Sequence, residues 1–214
     1  MKSNLMTFWT ELFLKPKLFF KKNLRDSKRQ PAYYSIAIII FCVGYGIDRL
    51  DQQLMKLDLR GKLDEAGYLN NWIVYWLTAI IGGLIGGYIL YLIGGWFFNL
   101  RLKWSKGTSD IEKSKHIYLY SGVVSNSVIV LTTLISMTFK NKPYISDSGL
   151  YFWDIISPIL LLFFVYYSIY ISYSGVRSIT DADKLRSKLW FLIIPIIFYT
   201  VVYFTVFALI LKLI

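Results

Sequence analysis

The sequence predicts an all-α fold: a polytopic membrane protein whose five transmembrane helices form a bundle, preceded by a short amphipathic helix in the membrane interface. Three observations predict it. Trp72 to Leu100 reads WIVYWLTAIIGGLIGGYILYLIGGWFFNL, a run without formal charge, longer than the roughly 20 apolar residues that cross a bilayer. Over 214 residues the chain is 56% hydrophobic with a mean hydropathy of +0.49, which is more apolar surface than a soluble domain of that length can hide. Finally, the Lys and Arg residues gather in alternate connections between hydrophobic runs, so the net charge of +11 reads as topology and no nucleic-acid partner is expected.

Residues 1–30 form a basic segment. Leu5, Phe8, Trp9, Leu12 and Phe13 recur at amphipathic-helix spacing, and Pro16 ends or kinks that helix. Such a helix, with Lys15, Lys17, Lys21 and Lys22 following it, is expected to lie in the cytoplasmic headgroup layer against anionic lipid. It does not read as a signal peptide, because the basic stretch is long and no small-residue cleavage site follows.

Residues 31–214 read as one transmembrane domain. The first span covers about 31–47 and stops at Asp48, and a partly amphipathic stretch with Gly61 and Gly67 leads to the second span, about 72–100. In the second span Gly82, Gly83, Gly86 and Gly87 make two overlapping small-xxx-small pairs, with Gly94 and Gly95 two turns further on. Helices in lipid associate by close backbone approach, so this glycine face is expected to pack another helix and to put the span at the centre of the bundle. Ser109-x-x-Glu112 resembles a capping box, so the next helix should begin near Asp110 and run into a third span at about 117–139. The fourth span covers about 150–173. Thr180-x-x-Asp183 resembles a second cap, and the fifth span covers about 189–211. Pro158 and Pro195 lie inside the last two spans, where each kinks its helix and frees a carbonyl.

The N-terminal segment and the second and fourth connections hold 17 Lys or Arg, against 7 in the first and third connections and the C-terminus. The positive-inside rule then expects the N-terminus in the cytoplasm and, after five spans, the C-terminus outside.

Several motifs follow one another in a recognisable order. Pro16-Lys17-Leu18-Phe19-Phe20 is a Pro-x-x-Phe-Phe motif, and Pro31 precedes the first span. Gly94-Gly95 closes the glycine-rich span, His116 to Ser121 opens a tyrosine-containing third span, and Tyr173-x-Gly175-Val176-Arg177 ends the fourth. This order resembles the Yip family of five-span membrane proteins over nearly the whole chain. Val123 to Asn126 stand where members commonly have a proline, so a kink there is not implied. The short basic N-terminal segment is more similar to the bacterial branch, which implies a cytoplasmic-membrane protein and does not carry over the Rab GTPase binding of eukaryotic members.

Polar groups within spans call for a functional hypothesis. The candidates are Ser121, Ser125, Asn126, Thr132 and Ser136 in the third span and Asp154 early in the fourth. Two readings stand for the third span: interhelical hydrogen bonds to the glycine face, or a hydrated, substrate-lining surface. Asn99, Arg101 and Arg177 join the N-terminal lysines as candidate lipid-headgroup contacts. One His, one Cys and no carboxylate pair at helical spacing in a span leave general acid/base and metal chemistry without parts, so no enzyme, cofactor or metal is expected. Two functions remain. One is a non-catalytic membrane organiser that binds a membrane-protein partner or a second copy of itself; the other is a transporter or lipid-handling protein built on the second and third spans.

Overall fold

The computed structural model describes residues 5–24, 31–145 and 152–213. Its elements are α1 (Leu5–Leu14), α2 (Pro16–Leu24), α3 (Pro31–Leu59), a 3-10 turn (Leu63–Ala66), α4 (Trp72–Trp104), α5 (Ile111–Phe139), α6 (Phe152–Ile179), α7 (Lys184–Lys188), a π-helical segment (Leu189–Ile193) and α8 (Ile194–Leu213). Among the described residues there is no strand. Five helical stretches are long and apolar enough to cross a membrane: Ala32–Leu59, Trp72–Trp104, Ile111–Phe139, Ile156–Ile179 and Lys184–Thr205.

The element ends follow from local chemistry. Pro16 separates α1 from α2 and opens α2, where its missing N–H would have had no helical partner anyway. Helix α3 does not stop at Asp48 but runs on to Leu59. Its charged turns are tied along their own surface, with Gln52 donating to Asp48 at 2.9 Å and Arg49 to Gln52 at 3.1 Å. With 29 residues the helix is about 43 Å long, well beyond the hydrocarbon thickness, so polar residues past Ile47 need not end it.

Both expected caps shift to an aspartate. The Lys113 amide donates to Asp110 Oδ1 at 3.0 Å, and the Lys113 ammonium lies 3.1 Å from the same carboxylate. Ser109 is therefore not the cap of α5. Likewise the Arg186 amide donates to Asp183 Oδ1 at 2.9 Å, whereas the Thr180 hydroxyl turns back to the Val176 carbonyl at 2.6 Å. A carboxylate is the stronger acceptor for the orphan amides at the positive end of a helix, and it takes the position from a neighbouring hydroxyl. Burial pulls the Asp110 carboxyl upward, but its bonds from Lys113 outweigh that and hold its pKa below the usual carboxylate range.

The chain divides into two compact units: Gln30–Gly94 with Gly122–Val165, and Met1–Arg29 with Gly95–Ser121 and Tyr166–Ile214.

In the first of these, α3 has neighbours on two sides. Gly44 faces Asn126 of α5, Gly122 of α5 faces the Phe41 ring, and Gly46 faces Ala79 and Gly83 of α4. Helix α4 buries a single stripe there, Tyr75, Ala79, Gly83, Gly87 and Tyr91, one residue per turn, while Ile73, Leu77, Ile81, Leu84, Ile85 and Ile89 are exposed. Within this unit α3 is the shared element. A helix that reads as apolar all round is exposed on most of its surface when lipid is its solvent.

At one end of this unit the connections are clipped to the helices. Asn70 donates to the Tyr144 carbonyl and accepts from the Tyr144 amide, at 2.9 and 2.8 Å. The Tyr144 hydroxyl donates to Asp58 at 2.8 Å and the Trp72 indole to the Lys140 carbonyl at 3.0 Å. Burial first, and then the Asp58 carboxylate, push the Tyr144 pKa up to about 12.

Candidate functional site

The second unit brings the scattered motifs together. Phe19 and Phe20 of the Pro-x-x-Phe-Phe motif are fully buried, and so are Phe8 and Leu12 of α1. The Phe8 and Phe19 rings meet edge to face at 4.8 Å, and both reach Tyr120 of α5, at 5.9 and 5.1 Å. Such pairs add to simple burial. Gly175, from the Tyr-x-Gly-Val-Arg motif, has no room for a side chain: a Cβ there would lie 2.7 Å from Ile117 and 3.0 Å from the Phe20 ring. The Tyr167 hydroxyl donates to the Phe13 carbonyl. His116 Nδ1 lies 2.6 Å from the Glu112 carbonyl, which can only accept, so Nδ1 carries the proton.

Helices α1 and α2 thus form a hairpin seated on α5 and α6. Of the apolar face assigned from sequence to lipid, Phe8 and Leu12 are buried within the chain, and Trp9 and Phe13 are half-buried. Lys15, Lys17, Lys21 and Lys22 stay exposed, and Lys22 pairs with Glu11 at 2.8 Å.

Two connections of the same unit interlock. The Thr108 hydroxyl and amide both donate to Asp181, at 2.6 and 2.8 Å, and the Asp183 amide donates to the Ser105 carbonyl at 2.9 Å. Gly107 lies against Leu102 and Ala182. Arg177 Nη1 donates to the Ala182 carbonyl at 2.8 Å. Asn99 is 7% exposed: its Nδ2 donates to Ser109 at 3.0 Å and its Oδ1 accepts from Ser114 at 3.2 Å. The hydrogen bonds from Thr108 hold the Asp181 carboxyl below the usual carboxylate range, and the Arg186 amide does the same for Asp183.

Arg101, at the end of α4, donates from Nε to the Trp190 carbonyl at 3.1 Å and from Nη2 to the same oxygen. Its guanidinium lies over the rings of Phe191 at 4.5 Å and Phe98 at 5.7 Å. Asn99, Arg101 and Arg177, the three candidate headgroup contacts beyond the lysines, therefore all have protein partners. Gly95 lies against the stem of Lys115, and Gly94 is half-buried.

The glycine and third-span candidates in the other unit are placed as follows. A Cβ at Gly83 would lie 2.5 Å from the Cys42 carbonyl oxygen, and one at Gly87 would lie 2.7 Å from Cys42 Cα. Gly86 meets the edge of the Tyr45 ring, and Gly82 has open space around it. The other half of this contact, Cys42 and Gly46, escaped the sequence reading although Cys42-x-x-x-Gly46 is itself a small-xxx-small pair.

Four of the third-span candidates turn onto their own helix. Ser121 donates to Tyr118, Ser125 to Gly122 and Thr132 to Val128, at 3.0, 3.1 and 2.9 Å, and Asn126 Nδ2 donates to Gly122 at 2.8 Å. These donors do not cross to the glycine face of α4. Ser136 and Thr132 also accept from another helix, both from the Trp153 indole, at 2.8 Å on the Ser136 hydroxyl and 3.3 Å on the Thr132 carbonyl. The side chain of Asp154 lies outside the described residues. Among the described residues no group of three His, Cys, Asp or Glu is placed to hold a metal ion.

No curated protein and no solved structure matches the chain. The family model of the Yip1 domain matches residues 10–207, from α1 through α8, and takes in both the motif cluster and the five apolar helices. An integral membrane protein with that match over nearly its whole length, the chain belongs to the Yip1 family.

Proposed function

We propose that this protein is a non-catalytic membrane organiser, which presents an exposed basic surface to anionic lipid headgroups and a partner protein while its helices hold that surface in place. The reading puts residues 1–30, 101–116 and 177–188 on the cytoplasmic side of a bacterial cytoplasmic membrane. One observation carries it: Ser121, Ser125, Asn126 and Thr132 of the third span donate to carbonyls of their own helix. A transport path needs polar groups turned to a solvated lumen, and these are not. Lys15, Lys17 and Lys21 are exposed and enter no described ion pair, so their charge is available to an anionic surface.

The test is purification of the full chain from its own membrane in mild detergent, with mass spectrometry of the lipids and proteins that accompany it. A stoichiometric protein partner, with anionic lipid enrichment that falls when Lys15, Lys17 and Lys21 are changed together to Gln, is the expected result. A single lipid species retained by the native chain and lost on Asn126→Ala would replace the organiser with a lipid handler.

A further inference from the structure

We infer that Arg101 supplies the hydrogen bond that Pro195 withholds from the last span, and that it thereby selects between two hydrogen-bond registers of that helix. Residues Leu189–Ile193 are π-helical, and the Ile194 amide donates to the Leu189 carbonyl, five residues back. In that register the next carbonyl, Trp190, calls for the amide of residue 195. Residue 195 is proline and has none. The guanidinium of Arg101 fills the gap, with Nε and Nη2 both on the Trp190 oxygen.

The α-helical alternative moves the defect by one residue. There the Ile194 amide would return to Trp190, and the carbonyl left over would be that of Phe191, four residues before Pro195. Proline leaves a carbonyl without an amide in either register, so the helix escapes the defect in neither by itself. A side-chain donor that reaches only one of the two carbonyls decides the matter. Arg101 reaches Trp190, and its cation is held there between Phe191 at 4.5 Å and Phe98 at 5.7 Å. Phe98 and Phe191 beside it are buried, so removing the donor leaves the carbonyl short of a partner. A change of register would turn the residues after it about the helix axis by roughly one residue's step, about 100°. Arg101 is thus a positioning residue for α8, a role independent of any lipid or partner.

The test is a double-mutant cycle on the full chain in detergent, read by hydrogen exchange of the amides in segment 189–197 and by thermal unfolding. R101M is expected to speed exchange in that segment about tenfold, the factor that corresponds to one net hydrogen bond, and to lower the unfolding temperature. In the P195A background, where residue 195 regains an amide, the same substitution should change exchange by less than about twofold. R101K, which keeps a donor, should stay near the native protein in both readouts. Equal effects of R101M in the two backgrounds, or none in the native one, would overturn the inference. If R101M does not accumulate, recovery of R101M/P195A to the level of P195A is the expected rescue, and loss of both Arg101 variants alike would count against the pairing.

Discussion

At the scale of single residues the glycines divide sharply. Gly83 and Gly87 sit where another backbone passes, and Gly82, one residue from Gly83, sits in open space. Gly83→Leu should lower stability in detergent by about 3 kcal/mol, since the obstacle is a main-chain carbonyl that cannot swing aside. Gly82→Leu should stay within about 0.5 kcal/mol. Thermal unfolding of the two variants side by side checks this, and equal stabilities would mean that the glycine stripe does not face α3. Sequence spacing revealed that glycines would pack, but four candidates in two overlapping pairs look alike in a string. Only the direction of the α3 contact separates Gly83 and Gly87 from Gly82.

Asp181 and Asp183 carry a prediction of their own. Both have folded pKa values depressed by hydrogen bonds, from Thr108 and from Arg186 respectively. A depressed carboxyl contributes stability that is present above the unfolded value, about 3.9, and is lost as pH falls through the lower folded value. Protection of the Thr108 amide, corrected for intrinsic exchange, should therefore be flat between pH 7 and 5 and fall only below about pH 4. In D181N it should be low throughout, and a D181N profile like that of the native chain would remove Asp181 from the interlock.

At the scale of elements, the N-terminal hairpin departs most from what periodicity suggested. Its apolar stripe was legible in the sequence, but a stripe does not say whether lipid or protein covers it. The rings of Phe8, Phe19 and Tyr120 close on one another, and the absent side chain of Gly175 makes room for Phe20. Phe20→Ala should release the hairpin, at a loss of about 3 kcal/mol, seen as cleavage between residues 5 and 24 by a protease that leaves the native chain intact there. Gly175→Leu should give the same pattern from the other side of the contact. Resistance of both variants would place the hairpin's stability elsewhere. The two shifted caps teach a related lesson. A Ser or Thr with an acid three residues on is a good sign that a helix starts nearby, yet Asp110 and Asp183, close by in sequence, take the role because their carboxylates bind the amides better.

At the scale of the whole molecule, charge decides orientation. With 17 basic residues on one set of segments and 7 on the other, the N-terminus is expected inside and the C-terminus outside. A reporter that is active only in the cytoplasm should work at the N-terminus and fail at the C-terminus, and the reverse pattern would invert the topology. By itself the sequence determined the helical class, the number of spans, the family and this bias, because length, hydropathy and charge act on each segment separately in its own solvent. The tertiary structure alone decided which glycines meet a backbone, that Ser121, Ser125 and Thr132 turn back on their own helix, that the hairpin docks on Tyr120, and that Arg101 answers a carbonyl 89 residues away. Those are pairings between distant segments, and a residue's type fixes what it can bind but not what the fold brings to it.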